Sequence, residues 1–219
     1  MLLDRRKVKF WQKIVFGGMA FLMAAFLVVG YSGVLNGCTW FNSAQEDVNK
    51  TLDQQITKYQ TATTTDPTDA AAWISLAEAY LSRSAIQKEG SQALTSDLTN
   101  AAAAYTKADK LLAKQKAAAV RTQRLDALTS LAGVYSQLGD SQAAVGVYGD
   151  ITGLTPKDPD AFFNLGAAAS TAGDTTTAML AFTRFLELDP KSPYAAEVKD
   201  WITANTPKTT PTPTPSPTK

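Results

Sequence analysis

Histidine is absent from the 219-residue chain, and cysteine occurs once, as Cys38. The first absence removes the commonest general base and metal ligand. The second leaves no partner for an internal disulfide and no thiolate cluster for a metal. No G-x-S-x-G elbow and no G-x-x-x-x-G-K-[ST] phosphate loop is present, so neither hydrolase nor nucleotide chemistry has a visible seat. Net charge is scarce as well: 21 Lys plus Arg face 20 Asp plus Glu. After Cys38 there are 16 basic and 19 acidic residues, a balance that argues against nucleic acid as the main partner. Asp158 and Asp160 straddle Pro159, but Asp at a helix start is ordinary capping chemistry. The expectation is no enzyme, no cofactor and no metal.

One long apolar run is present. Residues 14–35 carry no charge, and 22 residues of helix span about 33 Å, enough for a hydrocarbon core of about 30 Å. Arg5, Arg6, Lys7, Lys9 and Lys13 precede it against a single Asp4, and the far flank starts with Glu46 and Asp47. The positive-inside rule then makes 1–13 a cytoplasmic basic segment, 14–35 a single transmembrane pass, and the remainder extracytoplasmic at the cell membrane. Trp11 before the run, and Tyr31, Trp40 and Phe41 near its end, suit an interfacial belt. Leu35-Asn36-Gly37-Cys38 resembles a bacterial lipobox, with Asn36 where a small residue is usual. Cys38 is thus a possible lipidation site behind a cleaved signal. The length of the run favours the uncleaved helix, and both anchors leave the domain on the same side.

Residues 125–190 overlay on themselves at an offset of 34. Gly139-Asp140 falls on Gly173-Asp174, Ala144 on Ala178, Tyr148 on Phe182, Pro156 on Pro190, and Leu128, Leu131 and Ala132 on Phe162, Leu165 and Gly166. A fixed period of this size means stacked supersecondary units, each too thin to bury its own apolar face. Leu128, Leu131 and Tyr135 share one face of a helix, and Ala144, Tyr148 and Ile151 share one face of the next. Gly-Asp between them ends one helix and starts another. Each unit is therefore helix, tight turn, helix.

This pattern resembles the tetratricopeptide repeat: large residue, Leu, small residue and Tyr in the first helix, then Ala, an aromatic and a closing Pro. Repeat 2 (125–158) matches nearly throughout. Repeat 3 (159–192) departs at Ala169, where Tyr or Leu is usual. The resemblance implies an all-α, right-handed superhelical solenoid whose concave face, lined by the first helices, binds a peptide or protein partner. Carried over, the concave positions are Ala71, Ile74, Glu78 and Leu81 in repeat 1, Asp126, Thr129, Gly133 and Ser136 in repeat 2, and Asp160, Phe163, Asn164, Ala167 and Ser170 in repeat 3. Asn164 stands where family members often hydrogen-bond a peptide backbone. No basic residue stands at the positions that clamp a C-terminal carboxylate. The expected groove reads apolar and small side chains, with Phe163 and Ile74 as anchors.

The rest of the chain is assigned around these units. The repeat domain is expected over 44–204. Ser43 with Glu46 reads as a capping box opening a lone second helix over 44–61, which covers repeat 1; a plain stalk helix is the alternative. Repeat 1 begins near Ala70 with Trp73, Leu76, Ala77 and Tyr80, but its second-helix residues Ala101, Tyr105 and Ala108 come 12 positions late. Glu89-Gly90-Ser91 reads as a turn between lengthened helices, and 113–124 as further helix with an unplaced break. A basic run, Lys107, Lys110, Lys114, Lys116, Arg121 and Arg124, offers a face to anionic lipid or an acidic partner, or is simply solvated. Ser192 as cap and Pro193 at the first position open a terminal helix over 194–204. Thr and Pro then dominate 205–219, which reads as a disordered tail. The function expected is a membrane-tethered interaction scaffold. The alternative is a spacer or assembly subunit acting through its convex face or the apolar segment. Gly33 and Gly37, four apart near the end of the apolar run, give only a weak dimer signal, and oligomeric state is left open.

Overall fold

A computed structural model describes residues 37–206, with side chains from Glu46 onward. The basic start, the apolar run 14–35, the Cys38 side chain and the chain after Thr206 lie outside the described residues. Within them, no helix is long and apolar enough to cross a membrane. Among the described residues the chain divides into two units between Thr51 and Leu52. All regular structure among the described residues is helical: α1 (Gly37–Thr65), α2 (Ala70–Ser84), α3 (Gln92–Leu112), α4 (Ala118–Leu138), α5 (Ser141–Leu154), α6 (Pro159–Thr171), α7 (Thr175–Leu188) and α8 (Ala195–Asn205).

The 34-residue period reappears as repeated hydrogen bonds. Gly139 and Gly173 sit at φ +71° and +77°, a left-handed conformation that only glycine takes cheaply. The following Asp140 and Asp174 N–H groups donate back to the Tyr135 and Ala169 carbonyls, both at 2.9 Å. Their carboxylates cap the next helix, accepting from Ala143 N and Thr177 N at 3.0 Å each. The junctions between units repeat as well. Asp69 N, Asp158 N and Ser192 N donate to the Asp66, Thr155 and Asp189 carbonyls, and a proline follows each acceptor, at Pro67, Pro156 and Pro190. Asp69 and Asp158 then cap α2 and α6.

Consecutive helices pack on one another from α2 to α8, as a stack of thin hairpins requires. One apolar core runs through α1, repeat 1 and repeat 2, and includes Leu76, Tyr80, Leu98, Tyr105, Leu128 and Leu131. A second joins repeat 3 to α8 through Phe182, Phe185 and Val198. Ile56 and Tyr59 of α1 lie in the first core, and the Gln60 amide donates to the Tyr80 hydroxyl at 2.8 Å. The α1 segment after Thr51 therefore covers repeat 1, as the repeat pattern requires.

Several boundaries differ from expectation. Ser43 lies inside α1, so the reading of a capping box there is wrong: the helical backbone already runs from Gly37. The turn at Gly90 is present, with φ +71° and Ser91 capping α3 at Leu94 N. Yet α2 is only 15 residues long, and the added length belongs to α3 and α4, 21 residues each. The cause is packing. The early turns of α3 bury Asp97 and Leu98, and Arg83 forks onto the Asp97 carboxylate at 2.6 and 3.0 Å while also reaching Asp53 at 2.6 Å. These bonds hold the Arg83 guanidinium well above its ordinary pKa, chiefly through Asp97. At the other end, α8 starts at Ala195. Ser192 Oγ reaches only Tyr194 N, at 3.4 Å, so Ser192 and Pro193 form a turn before the helix instead of its first residues.

Candidate functional site

The site is set by the junction between repeats 2 and 3. The Gly139 turn brings the end of α4 and the start of α5 together, and the Thr155–Asp158 turn lays α6 beside α5. Between them lies a pocket of about 290 Å³, lined by Ser136, Ser141, Ala144, Tyr148, Asn164, Ala167, Ala168 and Thr171. Three of the expected concave positions, Ser136, Asn164 and Ala167, are brought together here from two successive units. Ser136 and Asn164 are exposed and Ala167 is half-buried.

The other expected positions stand elsewhere. Ile74 and Leu81 are half-buried against the core of repeat 1. Glu78, Thr129, Gly133, Asp126, Asp160 and Ala71 are exposed outside the pocket. Ser170 is half-buried on α6 and does not line it. Phe163, expected as an anchor, is engaged within the protein. Its ring centroid lies 4.9 Å from Tyr194, stacked, and 5.3 Å from Phe185. The reason is the small Ala169, buried on the same helix: where Tyr or Leu is usual, repeat 3 gathers its aromatics from Phe163, Phe182 and Phe185 instead.

The pocket is uncharged. Five hydroxyl or amide side chains (Ser136, Ser141, Tyr148, Asn164, Thr171) face three alanines, with no Lys, Arg, Asp or Glu in the lining. Such a surface accepts and donates hydrogen bonds but offers no counter-ion, so a buried ligand charge would go unpaired. At the equivalent junction between repeats 1 and 2 the second-helix aromatic is buried. Tyr105 stands in its second helix as Tyr148 does in the next, but is 2% exposed. Burial raises its pKa, opposed by a hydrogen bond with Ser130 and assisted by the Glu78 charge. Ser130 occupies the position of Asn164 one repeat earlier. Tyr148, half-buried, keeps its side of the second junction open.

Residues from the second helix, Ser141, Ala144 and Tyr148, together with Ala168 and Thr171, were not singled out as binding residues from sequence. The available signal was the 34-residue register, which sets Tyr148 beside Asn164 as firmly as it sets the first-helix positions. The basic run is divided by the fold. Arg124 pairs with Asp109 at 2.6 Å, Arg121 donates to the Leu154 carbonyl, and Lys107 lies over the Trp73 ring at 5.8 Å. Lys110, Lys114 and Lys116 are exposed. Among the described residues no group of His, Cys, Asp and Glu is arranged to hold a metal.

A family model described as Tetratricopeptide repeat matches residues 129–193. Among solved structures, MamA is similar at 17% identity over 73% of this chain and 89% of that one, with a TM-score of 0.45. Cut9 in the APC/C hetero-tetramer Cut9-Hcn1 is similar at 13% identity over 70% and 40%, TM-score 0.40. YrrB, a TPR protein with an unusual peptide-binding site, is similar at 15% identity over 73% and 89%, TM-score 0.30. No curated protein sequence matches the chain.

Proposed function

We propose, from the Tetratricopeptide repeat model matched at residues 129–193, that the chain is a repeat protein of that kind and a non-enzymatic scaffold that binds an extended, uncharged peptide segment of a protein partner. The observation that carries this reading is the pocket shared by Ser136, Asn164 and Ala167, which come from corresponding faces of two successive first helices. A peptide backbone laid there meets the Asn164 amide and the Ser and Thr hydroxyls. Alanine walls admit small side chains and exclude large ones, and Tyr148 offers a flat apolar face. Acidic and basic segments are disfavoured because their charges would lose water without gaining a partner.

Tethering belongs to the same proposal. The apolar run 14–35 holds the repeats at the cell membrane, and the five preceding basic residues place the repeat domain outside the cytoplasm. Either the helix itself or a lipid on Cys38 is the anchor. Two measurements test the proposal. Photo-crosslinkers at Asn164 and Thr171 should capture the partner in native membranes, and capture at neither position contradicts the groove. Protease added to intact spheroplasts should remove the repeat domain; protection until lysis reverses the topology. Intact mass from the same sample separates a chain starting at Met1 from one starting at a lipidated Cys38.

A further inference from the structure

The pocket lacks charge, and the same chain carries a long uncharged stretch beyond its last helix. Residues 209–218 are five Thr, one Ser and four Pro. Building on the pocket as a peptide site, we infer that the uncharged residues 209–218 of the chain's own tail lie in that pocket, with Lys208 and Lys219 left outside it in water, and compete with the partner for it.

Topology brings the two together. Glu187 and Lys199 line one end of the cleft between α7 and α8, and Thr183 and Thr203 line the other. The Phe182 and Trp201 rings meet at 5.1 Å toward the Thr183 and Thr203 end. α8 therefore runs antiparallel to α7, and its end at Asn205 points toward the start of α7 and the Gly173 turn. Thr171, two residues before that turn, lines the pocket, and so do Ser136 and Ser141 on either side of the Gly139 turn. The root of the tail and the mouth of the pocket thus share one edge of the repeat stack. Neighbouring helices lie about 8–10 Å apart, so the pocket is roughly two spacings, about 20 Å, from Thr206. Thirteen residues at about 3.1 Å each reach about 40 Å in a polyproline II conformation.

The chemistry matches on both sides. Every second residue from Pro211 to Pro217 lacks an N–H, so the stretch presents mainly carbonyl acceptors and hydroxyls. Asn164 and Ser141 can donate to those carbonyls, while the Ser136 and Thr171 hydroxyls, which already donate to the Ala132 and Ala167 carbonyls, can accept from the Thr and Ser hydroxyls and N–H groups of the tail. Proline rings pack on an aromatic face in the manner of other proline-rich ligands, and Tyr148 supplies one. Proline also fixes much of the tail's backbone beforehand, which lowers the entropy cost of docking. A short linker keeps the tail at an effective concentration of order millimolar. A segment with an intrinsic dissociation constant of about 0.1 mM would therefore occupy its own pocket about ten times out of eleven.

The test uses the full chain in detergent and a labelled peptide of residues 207–219 read by fluorescence anisotropy. Two chains are compared: the natural one, and one with Pro211, Pro213, Pro215 and Pro217 changed to Gly, which keeps tail length. The expected result is about ten-fold tighter peptide binding by the substituted chain, abolished when Asn164→Ala or Thr171→Arg is added. Both of those side chains are exposed, so neither change touches the core. Equal affinity for the two chains overturns the inference. So does no binding by the substituted chain, or tighter binding that survives Thr171→Arg. Partner crosslinking from Asn164 in the same preparations separates the two claims. Capture that persists while peptide affinities are equal removes the tail from the pocket and leaves the partner there.

Discussion

Substituting alanine for glycine should have opposite signs at two places in the repeat stack, and the structure fixes both. Gly166 on α6 faces Phe182 on α7. A Cβ built there would lie 2.4 Å from Phe182 Cδ1, 2.5 Å from Cε1 and 2.9 Å from Cγ. The whole ring would have to move. It cannot do so freely, because Trp201 meets it edge-on at 5.1 Å and Phe163 stands 6.1 Å away. Overpacking of this kind costs about 1–3 kcal/mol, against a helix-propensity gain of about 1 kcal/mol. The net expectation for Gly166→Ala is a loss of up to roughly 2 kcal/mol. Gly146, Gly149 and Gly153 on α5 present the contrast. All three are exposed, and nothing lies within 4 Å of an added Cβ. None has positive φ. Alanine at each should stabilise by about 0.5–1 kcal/mol, by helix propensity and a less flexible unfolded chain. Together they amount to about 1.5–3 kcal/mol, which for a domain of this size raises Tm by roughly 3–12 °C. Urea and thermal unfolding followed by far-UV circular dichroism reads both. A stabilising Gly166→Ala, or a destabilising α5 triple variant, would refute the packing described at the repeat 3 interface or the free outer face of α5.

Arg83→Ala should cost about 3 kcal/mol, because it strands the Asp97 carboxylate, 2% exposed, without a partner. Asp97→Leu should cost less, since Arg83 keeps Asp53 and water; the reverse order in urea midpoints would contradict the fork. Acid dependence follows from Asp66 and Asp174, both held below the ordinary carboxylate pKa by hydrogen bonds from Thr68 and Thr177. Their depressed folded values mean stability present above about pH 4. It is lost as pH falls through the folded pKa. Thr68→Val should shift the Asp66 carboxyl titration upward by NMR, and an unmoved titration rejects the hydroxyl's role. Phe163→Ala should lower stability by about 3 kcal/mol through lost packing on Phe185 and Tyr194, while leaving partner capture in place; lost capture at unchanged stability would restore Phe163 as an anchor.

The repeats were legible because their signals are local and periodic. Gly139-Asp140 and Gly173-Asp174 announce turns that need a positive φ and a cap, and both deliver them. Repeat 1 was harder. Its added length reads alike as loop or helix, and only the pairing of Arg83 with Asp97, 14 residues apart, shows that α3 carries it. The first-helix side of the pocket was legible from repeat position at Ser136, Asn164 and Ala167. Its other wall was not marked, since Tyr148 reads as a packing aromatic. Whether such a residue is sealed like Tyr105 or left open depends on the neighbour across the junction, Ser130 or Asn164. Phe163 shows a related limit: nothing in the first-helix pattern indicates that α7 and Tyr194 supply rings that pack on it.

The central claim is that partners enter the repeat 2–repeat 3 pocket and not the outer face. A photo-crosslinking amino acid placed singly at Asn164, Thr171, Gly149 or Gly153, in the full chain in its native membrane, tests it in one gel. The account predicts higher-mass adducts from Asn164 and Thr171 and none from Gly149 and Gly153. Adducts from the two α5 positions alone would contradict it and assign partner contact to the outer face.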